Sequence, residues 1–178
     1  MVGVGCSQPV PTSDAWTYDG TRWTSQDSGV TRLTVEHVPP GTTTLTLRAP
    51  ESVPSGTVLD AMITATQAGV LQFHVGAVEG DGVDAGLPPP PTAARDFAVV
   101  HVGPSGVRLS APGGAEHHVS CGVCEDVDDW SMSGLGEALT ASGTAEVLVT
   151  VSPSVPWGAV LAAFETSGSR TLRIAREQ

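Results

Sequence analysis

Ser52-Val53-Pro54-Ser55-Gly56-Thr57-Val58-Leu59-Asp60-Ala61 returns further along the chain as Ser154-Val155-Pro156-Trp157-Gly158-Ala159-Val160-Leu161-Ala162-Ala163. Seven of these ten positions are identical. The likeness continues on both sides. Leu45 and Leu47 before the first copy correspond to Val147 and Val149 before the second; Gly69, Phe73 and Val75 after it correspond to Gly168, Leu172 and Ile174. A self-match with the same order of elements on both sides is the signature of an internal repeat. Each copy reads as strand, helix, glycine stop, strand. In residues 53–68, Val58, Leu59, Met62 and Ile63 recur at helical spacing,. Pro54 suits a first turn, Ser52 or Ser55 can cap it, and Gly69 suits a C-terminal stop. A helix joining two parallel strands crosses over with a right hand and covers one sheet face. The expected fold class is therefore α+β: two small lobes, each a mixed sheet with a right-handed strand–helix–strand unit.

The break between the lobes is read at residues 84–95, where Leu87-Pro88-Pro89-Pro90-Pro91-Thr92 favours polyproline II and cannot donate to a ladder,. A semi-rigid linker is the expectation, with a proline-rich recognition segment as the sharper alternative. Residues 76–86, rich in Gly and Asp, read as a loop before it. This gives a tether at 1–13, a first lobe at 14–83, the linker at 84–95 and a second lobe at 96–178. In the first lobe, Asp19-Gly20 predicts a two-residue hairpin turn that sets Trp16 opposite Trp23 and Tyr18 opposite Thr21. Those aromatic residues are expected in the core, with a carbohydrate platform as the alternative. Residues 30–35 and 43–48 read as half-buried strands. In the second lobe, residues 97–102, 107–109, 145–151 and 170–174 read as strands. Residues 126–141 and 156–166 read as helices, the first opened by Asp126 and Asp128, where negative charge is favoured,.

The 178 residues carry 8 basic and 19 acidic side chains, a formal charge of -11, and every cation is Arg. Such a surface repels phosphate backbones, and no basic stripe offsets it, so no nucleic-acid partner is expected. No apolar run approaches the roughly 20 residues that cross a bilayer. Contact with a membrane is expected only through Cys6. Gly5-Cys6 followed by Ser7-Gln8-Pro9-Val10-Pro11 reads like the end of a bacterial lipoprotein signal, with Cys6 bearing the lipid. The charged start and apolar stretch of such a signal are missing, and an incidental Cys is the other reading.

Chemistry concentrates in Glu116-His117-His118-Val119-Ser120-Cys121-Gly122-Val123-Cys124-Glu125-Asp126. Cys-x-x-Cys with nearby His can supply thiolate and imidazole donors to zinc, so His117, His118, Cys121 and Cys124 form the metal alternative. In an exported chain the simpler reading is a disulfide between Cys121 and Cys124, which pairs without remainder if Cys6 carries lipid. Free thiols are the third reading. A thioredoxin-like site would need the motif at a helix start after a strand. No Ser sits in a Gly-x-Ser-x-Gly elbow. The acidic run at 125–129 lacks the glycine of a calcium loop, and no phosphate-cradling glycine motif is present. No catalytic residue and no cofactor are expected.

The second half resembles the periplasmic domain of the ExbD/TolR family of biopolymer-transport proteins. The resemblance runs over residues 97–107 as opening strand, Gly turn and second strand, and over Leu135-Gly136-Glu137-Ala138-Leu139 as first helix. It continues over Val147-Leu148-Val149-Thr150-Val151 and Val155-Pro156-Trp157-Gly158-Ala159-Val160-Leu161, and closes on Thr171-Leu172-Arg173-Ile174. In the first half it covers about 43–76. The family's acidic residue near the end of the third strand is replaced by Ser152-Pro153, and its membrane helix has no counterpart in these residues. The resemblance implies a non-enzymatic cell-envelope adaptor, periplasmic or outer-membrane-associated in a Gram-negative bacterium. It would bind envelope proteins or peptidoglycan, with a homodimer among the implied assemblies. Trp157 and the Trp-bearing hairpin are its candidate contact surfaces, with a place in the core as the other reading of both. The alternative is a metal-binding or thiol-redox protein centred on Cys121 and Cys124.

Overall fold

The structure is a computed structural model that describes residues 13–26, 28–88, 97–114, 116–121, 124 and 126–177. The first half gives β1 (Ser13–Tyr18), β2 (Trp23–Ser25), a 3-10 turn (Val35–His37), β3 (Thr44–Arg48), α1 (Ser55–Gln67), β4 (Gln72–Gly76) and β5 (Gly82–Gly86). The second gives β6 (Ala98–Gly103), β7 (Gly106–Ser110), β8 (Glu116–Ser120), a 3-10 turn (Val127–Asp129), α2 (Leu135–Ser142), β9 (Glu146–Val151), α3 (Trp157–Ser167) and β10 (Thr171–Arg176). The described strands form one ten-stranded sheet in the order β2-β1-β3-β4-β5-β10-β9-β6-β7-β8. The fold is α+β.

The repeat is visible in the pairing. β3 and β4 are adjacent and parallel, with Leu45 beside Phe73 and Leu47 beside Val75. β9 and β10 are adjacent and parallel, with Val147 beside Leu172 and Val149 beside Ile174. Outside each unit lies a further parallel strand, β1 or β6, and then its hairpin partner, β2 or β7. The order β2-β1-β3-β4 thus recurs as β7-β6-β9-β10. β5 joins the halves, antiparallel to β4 and parallel to β10. The equivalent strands of the two halves therefore run in opposite directions.

Alternation along the strands divides the sheet into a core face and a polar face. Trp16, Leu45, Leu47, Phe73, Val75, Val100, Val102, Val147, Val149 and Ile174 are buried in one cluster with Val58, Leu59, Met62, Val160 and Phe164 of the helices. Thr44, Thr46, Gln72, His74, His101, Arg108 and Thr171 alternate with them and stay half-buried or exposed. Ile63, read with the apolar stripe of α1, is 40% exposed instead.

The two copies meet at their helix starts. The first N–H groups of an α-helix have no carbonyl within their own helix. Here each copy supplies carbonyls to the other. Ser55 N–H donates to Val155 O at 2.8 Å, and Trp157 N–H donates to Val53 O at 2.8 Å. Gly56 N–H donates to Pro153 O at 3.0 Å, and Gly158 N–H donates to Glu51 O at 2.9 Å. Pro54 faces Pro156 across this antiparallel bridge. The exchange is reciprocal, as a pseudo-twofold axis through the two prolines requires. Serine caps are not used: Ser55 is buried and its hydroxyl donates to Ser152 O at 3.1 Å. Gly56 and Gly158 are glycine because the chains pass so closely. A Cβ on Gly56 would lie 3.0 Å from Pro153 Cβ, and one on Gly158 would lie 2.9 Å from Glu51 Cβ and 2.6 Å from Val127 Cγ1.

Three sequence readings are corrected, and one unassigned segment gains a strand. Residues 30–35 form no strand. Both sides of β1 are already occupied by β2 and β3, and the segment crosses instead with Leu33 and Val38 packed on the core. Residues 76–86 are not all loop: β5 lies within them and overlaps the expected linker from Asp84. Residues 89–95 of that linker lie outside the described residues. Residues 116–120 form β8 against β7. The helix expected over 126–141 is split. Trp130 donates its indole N–H to Gly103 O at 2.8 Å, which ties down the 3-10 turn, and Gly134 at φ 74° starts α2 afresh.

Gly158→Ala is expected to lower unfolding free energy by about 1–3 kcal/mol, the usual range for forcing atoms into a filled space. Gly136→Ala in α2, where an added Cβ meets only Thr166 at 3.5 Å or more, should leave stability unchanged or raise it by about 0.5–1 kcal/mol. Urea denaturation of both variants checks the pair.

Candidate functional site

The hairpin turn falls one residue later than the Asp19-Gly20 reading. Asp19 N–H donates to Arg22 O at 3.1 Å, so Gly20 and Thr21 form the turn, with Gly20 at φ 99°. The Asp19 carboxylate decides this register. Its Oδ1 accepts from Thr21 Oγ1 at 2.7 Å, Thr21 N–H at 2.9 Å and Arg22 N–H at 3.0 Å. Hydrogen bonds from the Thr21 side chain first, then from the Thr21 and Arg22 backbone, lower its pKa to about 2,. Trp23 consequently pairs with Tyr18, and Trp16 with Ser25. Tyr18 and Trp23 have ring centroids 5.3 Å apart.

This placement settles what the aromatic residues touch. Trp16 is fully buried, and its indole N–H donates to the buried Asp14 carboxylate at 2.7 Å. Trp157 is also fully buried and donates to Gly76 O at 3.2 Å. Neither is a contact surface. Trp23 is 9% exposed, and Tyr18 is half-buried. They form one wall of a cavity of about 590 Å³ beside α1, with Leu33 and Ala61 inside it and Arg22 and Arg32 also lining it.

Cys121 and Cys124 are joined, with Cα atoms 5.6 Å apart. Both are half-buried, and Cys124 packs against the core. Cys121 N–H donates to Ser105 O at 3.2 Å, which holds the end of β8 to the β6–β7 turn. The two histidines do not converge on them. His117 pairs with the buried Leu109 and its Nε2 meets Ser133 O at 2.9 Å, whereas His118 pairs with Arg108 on the polar face. Neighbours along a strand point to opposite faces. Among the described residues, no three His, Cys, Asp or Glu side chains gather as a metal-binding group. Cys6 lies outside the described residues. No helix among the described residues is long and apolar enough to cross a membrane.

A serine, a carboxylate and a histidine meet at one point on the polar side. Ser152 Oγ donates to Glu177 Oε2, Glu177 Oε1 lies 3.4 Å from His101 Nε2, and His101 Nδ1 lies 3.2 Å from Thr150 Oγ1. Nucleophilic chemistry needs imidazole against the serine. Here the carboxylate stands between them. With Glu177 N–H bonded to Val151 O at 2.9 Å, the cluster ties the segment after β10 to the sheet. Neither this cluster nor the cavity beside α1 was legible from the sequence. Each gathers residues from distant segments without a local motif, and Asp19 ahead of Gly20 was the one available clue to the second.

No family model, no curated protein and no solved structure matches this chain.

The lowered Asp19 pKa sets a sign for pH. Its folded value lies below the ordinary 3.8, so its contribution is present above the unfolded pKa and is lost as pH falls through about 2,. Carboxylate-detected NMR should place the Asp19 midpoint near 2, and Thr21→Ala should raise it toward the ordinary value.

Proposed function

We propose that the chain is a non-enzymatic cell-envelope adaptor related to ExbD/TolR-type biopolymer transport. It acts by binding envelope proteins or peptidoglycan. In this reading β1–β5 and β6–β10 are two ExbD/TolR-like lobes, each with a right-handed strand–helix–strand unit. The observation that carries it is the reciprocal backbone exchange at Pro54 and Pro156. It makes one chain equivalent to a pair of single-lobe subunits, and the resembling domains are dimers. In the Ser152–Glu177–His101 cluster the carboxylate stands between the serine and the imidazole, so this cluster lends no support to a nucleophilic enzyme. The joined cysteines fit an oxidising compartment,. The metal-binding alternative gains nothing from His117 and His118, which lie on opposite faces of β8.

The test is made in the native cell, with thiols trapped by acid before lysis. The expected result is a chain recovered in the envelope fraction, with Cys121 and Cys124 oxidised, that co-sediments with purified peptidoglycan or co-purifies with an envelope membrane complex. A cytosolic chain with both thiols free would overturn the adaptor reading. Catalysed thiol–disulfide exchange that is lost in Cys121→Ser would replace it with the redox one.

A further inference from the structure

The two halves differ at one equivalent place. In the second, the eight-residue α2 packs beside α3 and against β7 and β8. In the first, the segment beside α1 makes only the three-residue 3-10 turn at Val35–His37. The space left over is the cavity of about 590 Å³ between the β1–β2 hairpin and α1. That volume suits a small organic ligand, since such sites run to about 300–1,000 Å³.

Its chemistry is specific. Tyr18, Trp23, Leu33 and Ala61 give it apolar and aromatic walls. Its charged lining residues are Arg22, Arg32 and Asp60. Asp60 is already engaged by Arg176 at 2.6 Å, and Arg22 lies 3.4 Å from Asp19. Arg32 is exposed and has no carboxylate partner among the described residues. An uncommitted guanidinium beside an aromatic wall stands out in a chain of formal charge -11. A guanidinium presents a planar fork of donors that matches a carboxylate, and the ring wall takes an apolar body.

We propose that this cavity binds a small organic carboxylate whose ring-bearing or apolar body lies against Tyr18 and Trp23 while its anion meets Arg32. The site is independent of the adaptor reading: either can fail alone. The probes are 2-naphthoate and its neutral counterpart 2-naphthamide, each titrated into the whole chain and followed by backbone amide NMR. The expected result is saturable shifts confined to residues 18–23, 31–33 and 57–64, with the amide weaker by about tenfold or more, the scale of one charge-assisted contact. Arg32→Ala should remove the preference for the carboxylate. Arg108→Ala, on the polar sheet face, should keep it. No saturable shift, equal binding of the two probes, shifts elsewhere (such as the acidic cavity at Glu51 and Glu165), or an unchanged preference in a folded Arg32→Ala would each overturn the proposal.

Discussion

An α-helix begins with N–H groups that its own carbonyls cannot reach, and burying them without partners costs about 1–3 kcal/mol each. In this chain, α1 and α3 both begin in the interior, with Ser55, Gly56, Trp157 and Gly158 all buried. Neither start has a side-chain cap. Each is satisfied by carbonyls from the chain leading into the other helix. The Val-Pro-x-Gly motif follows from that requirement. Proline takes the position before the helix, where its missing N–H does no harm, and glycine lets the partner chain pass close. Separating the halves would expose four donors at once, so the repeat is legible as a unit only in pairs.

The pseudo-twofold also orders what lies around it. It sets equivalent strands antiparallel across the molecule and leaves β5 to close the centre of the sheet. The equivalence then lapses toward the outer edges. The second half carries β8, the cysteine pair and α2; the first carries a short hairpin and a single 3-10 turn. Differences of this kind are where a duplicated chain can acquire separate duties. The cavity beside α1 lies at one such difference, and the Ser152–Glu177–His101 tie lies at another, since the first half shows no such cluster among the described residues.

The repeat, helices α1 and α3 and most of the long strands were legible in the sequence because local pattern and tertiary need agree there. Leu45 and Leu47 alternate on a strand that is half-buried, and Val58, Leu59 and Met62 sit on a helix face that meets the core. Readings failed where a long-range partner decided the outcome. β5 is Gly-rich and has weak strand character, but it fills the gap between β4 and β10. Residues 30–35 have strand-like composition, yet β1 has no free side to offer them. The Asp19 carboxylate moved the hairpin by one residue through three hydrogen bonds that a turn-type rule does not count. The Gly134 break and the Trp130–Gly103 bond divided a helix whose apolar stripe was already imperfect. Of the site residues, the Cys121–Cys124 pairing was one of three readings left open, whereas the Arg32 cavity is assembled from three separate segments and carries no motif.

Native-state amide hydrogen exchange at Ser55, Gly56, Trp157 and Gly158 tests the central claim most directly. If the reciprocal bonds hold the halves as one cooperative unit, all four amides exchange with the same free energy, equal to that of global unfolding. If the Ser55 and Gly56 amides exchange through a cheaper opening than the Trp157 and Gly158 amides, or all four exchange by local fraying, the helix starts do not hold the fold together and the account is wrong.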